Sequence, residues 1–305
     1  MIELPEKLQS PILLHGDDVT AYRDPAVLYH DGVFHLFYSL IEVEDDGSVF
    51  SYTALSTSRD LLAWTPPRKL TPRDQALNYS SPGNVIRFGD EWFLCLQTYP
   101  RPGYKLKDAP RFGDENSRVF LMRSPNLVDW SEPQVMHVKG PDIPVEQAGR
   151  MIDPYLLEDK DQSGLWWCFY KQNGVSMSCS RDLKTWAYAG HVPSGENVCV
   201  LVENNEYVLF HSPHNGIGMK RSPDLVHWRD CGQLITLGQK DWPWASGRIT
   251  AAAVTDLRHV AGIGKYLMFF HGSGPQDESK TFDNNASIGI AWSDDLGEWS
   301  WPGRR

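Results

Sequence analysis

Apolar residues in this chain fall in short blocks, or alternate with polar ones. Nowhere do they keep the helical period for long. The blocks come in pairs split by turn signals. Asp24-Pro25-Ala26-Val27-Leu28-Tyr29 leads through His30-Asp31-Gly32 into Val33-Phe34-His35-Leu36-Phe37-Tyr38. Phe50 to Ser58 then alternates as a half-buried strand should. Similar pairs begin at Val85, Tyr155, Val198 and Thr250. After each set comes the same phrase, a Ser, an acidic or amide residue and a Leu, with Trp three places on. It reads Ser58-Arg59-Asp60-Leu61 with Trp64, Ser124-Pro125-Asn126-Leu127 with Trp130, and Ser180-Arg181-Asp182-Leu183 with Trp186. Ser222-Pro223-Asp224-Leu225 with Trp228 and Ser293-Asp294-Asp295-Leu296 with Trp299 complete the set.

A structural unit repeated five times, each of about four short strands, predicts an all-β, five-bladed β-propeller over residues 1–305 as a single domain. The phrase belongs in the turn between the third and fourth strands. Its polar side chains bond the turn backbone there, while Leu and Trp pack between blades. Pro11-Ile12-Leu13-Leu14 precedes the first inner strand, and is expected to complete the last blade and close the ring.

Composition narrows the partners. The chain has 305 residues, 41% of them hydrophobic, and a net charge of −10 with no Lys/Arg-rich run. That balance argues against nucleic acid and anionic membrane surfaces. Cys95, Cys168, Cys179, Cys199 and Cys231 show no metal-ligand spacing and no disulfide framework, which fits a reducing compartment. The opening residues lack a signal-peptide pattern, and no apolar run approaches membrane-span length, so a cytoplasmic location is expected.

Equivalent positions in radial units converge on one mouth of the central channel. The inner strands are opened by Asp24, by Gly83-Asn84 after Ser81, by Asp153, by Glu196 and by Arg248. Asp24 stands ten residues before Phe34, and Glu196 eleven before Tyr207. Three carboxylates meeting at one mouth repel one another, so a compensating cation or a chemical task is expected there.

Arg23-Asp24-Pro25, with its strand–Asp31-Gly32–strand sequel, resembles the first blade of glycoside hydrolase family 43. Ile152-Asp153-Pro154 resembles that family's second acidic motif, and Glu196 with its following strands the third. The resemblance spans nearly the whole chain. It implies an inverting glycosidase with Asp24 as general base, Glu196 as general acid, and Asp153 as the group that tunes and orients the acid. It also implies a glycan substrate, with a terminal α-L-arabinofuranose or β-D-xylose released from small oligosaccharides. Two departures stand out. Glu196 is followed by Asn197-Val198 rather than Gly-Pro or Ala-Pro. Arg248 stands where some members carry a His for a central metal, so no cofactor is expected and a central calcium is unsupported.

Further substrate contacts are expected from Arg248, and from Ser81 and Asn84 toward sugar hydroxyls. Trp242 and Trp244 either form a subsite wall or pack their own long loop. His271 is a further candidate against the alternative of a hydrogen-bonded structural His, as are His211 and His214. The Pro- and Gly-rich segments 100–116 and 138–150 read as binding loops, with Tyr104 and Phe112 as a roof that favours exo action. Three other readings compete, the first being an anhydro-galactosidase of a related five-bladed fold. A phosphorolytic propeller enzyme needs a cationic cluster near the acid, for which only Arg248 and Arg150 are in view; a non-catalytic propeller would bind a glycan or protein.

Overall fold

The computed structural model describes residues 7–106, 111–113 and 115–304. Five antiparallel sheets follow one another along the chain, each of four strands in simple up-and-down order. Their inner strands include Thr20–His30, Ile152–Glu158, Glu196–Glu203 and Arg248–Asp256; in the second blade this strand is split into Tyr79–Ser80 and Val85–Phe88. The expected closure is present. Ile12–Leu14 pairs antiparallel with Ala286–Ser293 in the fifth blade, whose outer strand is otherwise the short Trp299–Ser300. The first and last segments of the chain thus share one sheet and lock the ring. Among the described residues, no helix is long and apolar enough to cross a membrane.

The core is divided as the repeat demands. One large hydrophobic cluster lies at each of the five seams between neighbouring blades and receives one repeat Trp, and a smaller sixth cluster adds to the seam between blades 1 and 5. The turn chemistry recurs in all five copies. The Leu adopts a left-handed backbone (φ 61, 63, 58, 65 and 67°). The Trp indole donates to that Leu carbonyl at 3.2, 3.3, 3.2, 2.9 and 3.1 Å. The Asp or Asn carboxyl or amide oxygen accepts from the next turn's backbone N–H groups, as Asp60 does from Leu62 and Ala63. A strained Leu is held because its side chain is buried and its carbonyl is occupied. Trp186→Ala is therefore expected to cost about 3–5 kcal/mol, because Trp186 is among the most buried of the set at 2% exposure. Chemical denaturation checks this, and Trp64→Ala, at a partly buried indole, should cost less.

Blade 2 approaches blade 3 so closely at Gly83 that a side-chain Cβ there would lie 1.5 Å from the Pro154 carbonyl oxygen. Asn84 clamps the same seam. Its amide donates to the Leu156 carbonyl at 2.7 Å and accepts from the Leu156 N–H at 2.9 Å. The expected role of Asn84 on a sugar is thereby corrected: both ends of its amide are consumed between blades.

Candidate active site

Each inner strand opens on a β-bulge, and the bulged residue has a left-handed backbone. These residues are Asp24 (φ 48°), Ser81 (45°), Asp153 (53°), Asn197 (52°) and Ala251 (56°). Their backbones form a ring at the mouth of the axis. The true equivalent of Asp24 and Asp153 in blade 4 is therefore Asn197, and Glu196 precedes it by one. In blade 2 the equivalent is Ser81, not Asn84; in blade 5 it is Ala251, three residues after Arg248. The offset of eleven rather than ten residues before the second strand was the sequence trace of that shift.

A second rule stitches the ring together. In each blade, one residue of the second strand lies across from the residue just before the bulge: Ser39, Gln97, Lys171, Ser212 and His271. Four of these accept the bulge N–H of the next blade. Ser39 Oγ accepts from Ser81 at 2.7 Å, Gln97 Oε1 from Asp153 at 2.5 Å, Ser212 Oγ from Ala251 at 2.9 Å, and His271 Nδ1 from Asp24 at 3.0 Å. Lys171 is the exception, since an ammonium has nothing to accept with. The Asn197 N–H goes instead to Asp153 Oδ2 at 3.1 Å.

The expected trio does meet. Asp24, Asp153 and Glu196 line one hollow of about 450 Å³ at the axis, together with Ser81 and Arg248. Asp24 Oδ2 accepts from the Ser39 hydroxyl at 2.7 Å, and Asp153 Oδ1 from the Ser81 hydroxyl at 2.7 Å. Asn197 ties the two, its amide 3.5 Å from Asp24 Oδ1 while its backbone bonds Asp153. Asp153 is 6% exposed. Burial, then the charges of Glu196 and Asp24, push its carboxyl up to about 7, against the smaller pull of the Ser81 and Asn197 bonds. Glu196 is more open, with a third of its side chain accessible, and its Oε1 accepts from Arg248 Nη2 at 2.8 Å.

Arg248 is the cation the trio requires, and it has a partner that sequence reasoning missed. Glu278, on the short helix Glu278–Thr281 between two strands of blade 5, is gripped by both Arg248 and Arg23. Burial works to raise its carboxyl, yet Arg23, His271 and Arg248 hold it well below the usual carboxylate range. A charged chain thus runs Glu196–Arg248–Glu278–Arg23 around one side of the hollow. No local signal in Asp277-Glu278-Ser279 announces this, because the contact spans 255 residues.

Several expected contacts fall elsewhere. His271 is 1% exposed and lies beneath the ring, so it supports the Asp24 backbone rather than substrate; burial pushes its proton affinity down. Trp242 and Trp244 stack on each other (5.3 Å) and on Phe270 (6.1 and 5.9 Å), and neither lines the hollow. Their loop packs itself. Tyr104 is buried with its hydroxyl donated to Asp283 at 2.8 Å, so it is no roof. The aromatic wall is Tyr99, Phe112 and Phe282 instead: Tyr99 stacks on Phe282 at 5.9 Å, and Phe112, half exposed, meets it edge-on at 5.1 Å.

The channel below the ring is floored by Ala251, Ala252 and Ala253 together with Pro25, Pro82 and Pro154. Asp24, Ser81, Asp153 and Asn197 line the same narrow space from the ring, and His271 Nδ1 is already taken by the Asp24 N–H. Among the described residues, no group of three or more His, Cys, Asp or Glu side chains is arranged to hold a metal ion.

No protein-family model matches the sequence, and no curated protein matches it. Solved structures do. An exo-1,5-α-L-arabinanase from a bovine ruminal metagenomic library is 17% identical, with a TM-score of 0.61 over 94% of this chain and 97% of that one. A thermostable family-43 glycoside hydrolase is 13% identical, with a TM-score of 0.64 over 98% and 96%. The catalytic domain of a GH62 α-L-arabinofuranosidase from Coprinopsis cinerea is 16% identical, with a TM-score of 0.63 over 92% and 94%. Across almost its whole length, this chain has the five-bladed β-propeller fold of these glycosidases.

Proposed function

We infer that this protein is a glycoside hydrolase, with Glu196 as general acid, Asp24 as the base that activates water, and Asp153 as the buried carboxyl that tunes and orients the acid. One observation carries the reading: three carboxyls from three blades face one sugar-sized hollow at the axis, and burial and the neighbouring charges raise the most buried of them to about 7. Hydrolysis of a glycosidic bond needs one carboxyl that gives a proton to the departing oxygen and another that removes one from water. Glu196 borders both the main hollow and a second one of about 420 Å³, lined by His214, Asn215 and Lys171. A sugar in the main hollow would place its leaving group over that second space. Arg248 fixes the Glu196 carboxyl between the two.

For the finer reading we favour exo-acting, inverting release of a terminal pentose, α-L-arabinofuranose or β-D-xylose. The arabinanase and arabinofuranosidase among the structural neighbours support the pentose. The half-exposed Phe112 over the hollow supports a pocket rather than an open cleft. A panel of nitrophenyl furanosides and pyranosides tests both levels. Cleavage of arabinofuranoside or xyloside supports the pentose, cleavage of another sugar alone removes it, and an inert protein across the panel removes the hydrolase.

The buried proton makes a pH prediction. The Asp153 carboxyl, raised to about 7 by burial and by the charges of Glu196 and Asp24, gives up its proton there, so kcat/KM should fall as pH rises through about 7. In Asp153→Asn the group that titrates there is gone, so this alkaline limb should leave the region of pH 7. An unmoved limb would remove Asp153 from the proton chemistry. Stability follows the same sign. A carboxyl whose folded-state affinity is raised costs stability progressively from about pH 4 to pH 7, so thermal melting of the wild type should decline over that range and that of Asp153→Asn should decline less.

A further inference from the structure

We propose that the glycan bound here carries a carboxylate, and that Arg150, flanked by Lys171, is its anchor. The inference rests on the glycan reading of the hollow, names the substrate's charge class, and would put a uronic acid in place of the neutral pentose beside Arg150. Two observations on blade 3 support it. Arg150 lines the main hollow, only partly exposed. The hollow's other two arginines, Arg23 and Arg248, are both consumed by carboxylates. Among the described residues the Arg150 guanidinium meets no carboxylate, carbonyl or other hydrogen-bond acceptor. Its five N–H donors are therefore free to meet a ligand that enters the hollow.

Lys171 is the second observation. Its four counterparts in the other blades are acceptors that hold the ring together, and blade 3 alone gives up that bond for an ammonium. Its side chain lines the neighbouring hollow beside Glu196, again with no partner among the described residues. A structural position has thus been released, and what it gained is a positive charge. Lys171 lies across the strand pair from Ile152, two residues beyond Arg150, so both cations rise from one rim of the mouth. The two hollows also hold Asp24, Asp153, Glu196, Asp277 and Glu278, and Arg150 and Lys171 are the cations there that none of these carboxylates engages. The planar guanidinium matches a carboxylate with two parallel hydrogen bonds, and the ammonium adds a point charge beside it. The ligand class is a uronic-acid-containing glycan.

Binding to the intact protein, read by calorimetry with no turnover required, tests this apart from hydrolysis. The probes are D-galacturonate and D-glucuronate against D-galactose and D-glucose, with galactose 6-sulfate and inorganic phosphate as competing oxyanion sources. Uronate should bind at least about ten-fold tighter than its neutral parent, and weaken as salt is raised. Arg150→Gln should erase that preference to within about two-fold, Arg150→Lys should keep part of it, and Lys171→Met should reduce it less than Arg150→Gln. Melting temperatures near wild type confirm folded variants. Equal binding of charged and neutral sugars, or a preference untouched in Arg150→Gln, overturns the proposal while leaving the hydrolase intact. Tightest binding by the sulfate ester or by phosphate overturns the carboxylate and assigns the anchor to that oxyanion. No binding by any acid overturns it outright. Uronate binding by a protein inert on every glycoside would keep this anchor and remove the hydrolase instead.

Discussion

Glu196→Gln is expected to lower kcat by about 10²- to 10⁴-fold on a glycoside with a poor leaving group, with KM nearly unchanged. The amide keeps the shape of the carboxyl and still offers an oxygen to Arg248, which bonds Glu196 Oε1 at 2.8 Å in the wild type. What it loses is the proton for the departing oxygen. The loss should therefore shrink on a dinitrophenyl glycoside, whose leaving group departs without protonation. That dependence separates a general acid from a residue that only holds the sugar. A uniform loss across leaving groups would reassign Glu196 to binding, and full activity would remove it from the chemistry.

Asp24→Ala should be as severe, through the opposite proton. Asp24 faces the hollow with its carboxyl set by Ser39 at 2.7 Å, in a backbone conformation that the ring enforces. Removing the carboxyl leaves the attacking water with no base, and turnover is expected to fall by about 10²- to 10⁴-fold. Azide needs no base, so added azide should restore rate and yield a glycosyl azide inverted at the anomeric carbon. Proton NMR of the product reads both rate and configuration. A wild-type hydrolysis product of retained configuration would argue for a nucleophilic carboxylate, and unimpaired hydrolysis in Asp24→Ala would exclude the base role. The Asp24 N–H bond to His271 is a backbone contact, so it survives the substitution and the ring should remain closed.

The sequence made the architecture legible where local chemistry repeats. The Ser/Asp/Leu/Trp turn needs a hydroxyl, a carboxyl or amide oxygen, a buried left-handed Leu and an indole donor, all within seven residues, so each copy reports itself. The closing strand at Ile12–Leu14 was legible because the last unit lacked an outer strand of useful length. Asp24 and Asp153 were legible because Asp-Pro before an apolar strand marks the bulge in both blades. Registers at the other mouth residues were harder. Glu196 lies one place before its bulge, and Asn84 three after, because the blade-2 strand is broken between Ser80 and Val85. Trp242 and Trp244 had the composition of a sugar platform, but an apolar face of blade 5 was available and took them. Glu278, Tyr99 and Phe282 were invisible, since they reach the site from loops whose path only the tertiary structure fixes. Lys171 was hidden for another reason: its oddity appears only once the four acceptors that replace it elsewhere are laid side by side.

The decisive measurement is a crystal structure of Glu196→Gln soaked with the glycoside that the wild type cleaves. A sugar ring seated over the axis should appear, with Asp24 on one face through a water and residue 196 near the glycosidic oxygen on the other. A sugar held on the outside of the blades or at the far end of the channel, with this hollow left bare at saturating ligand, would contradict the account.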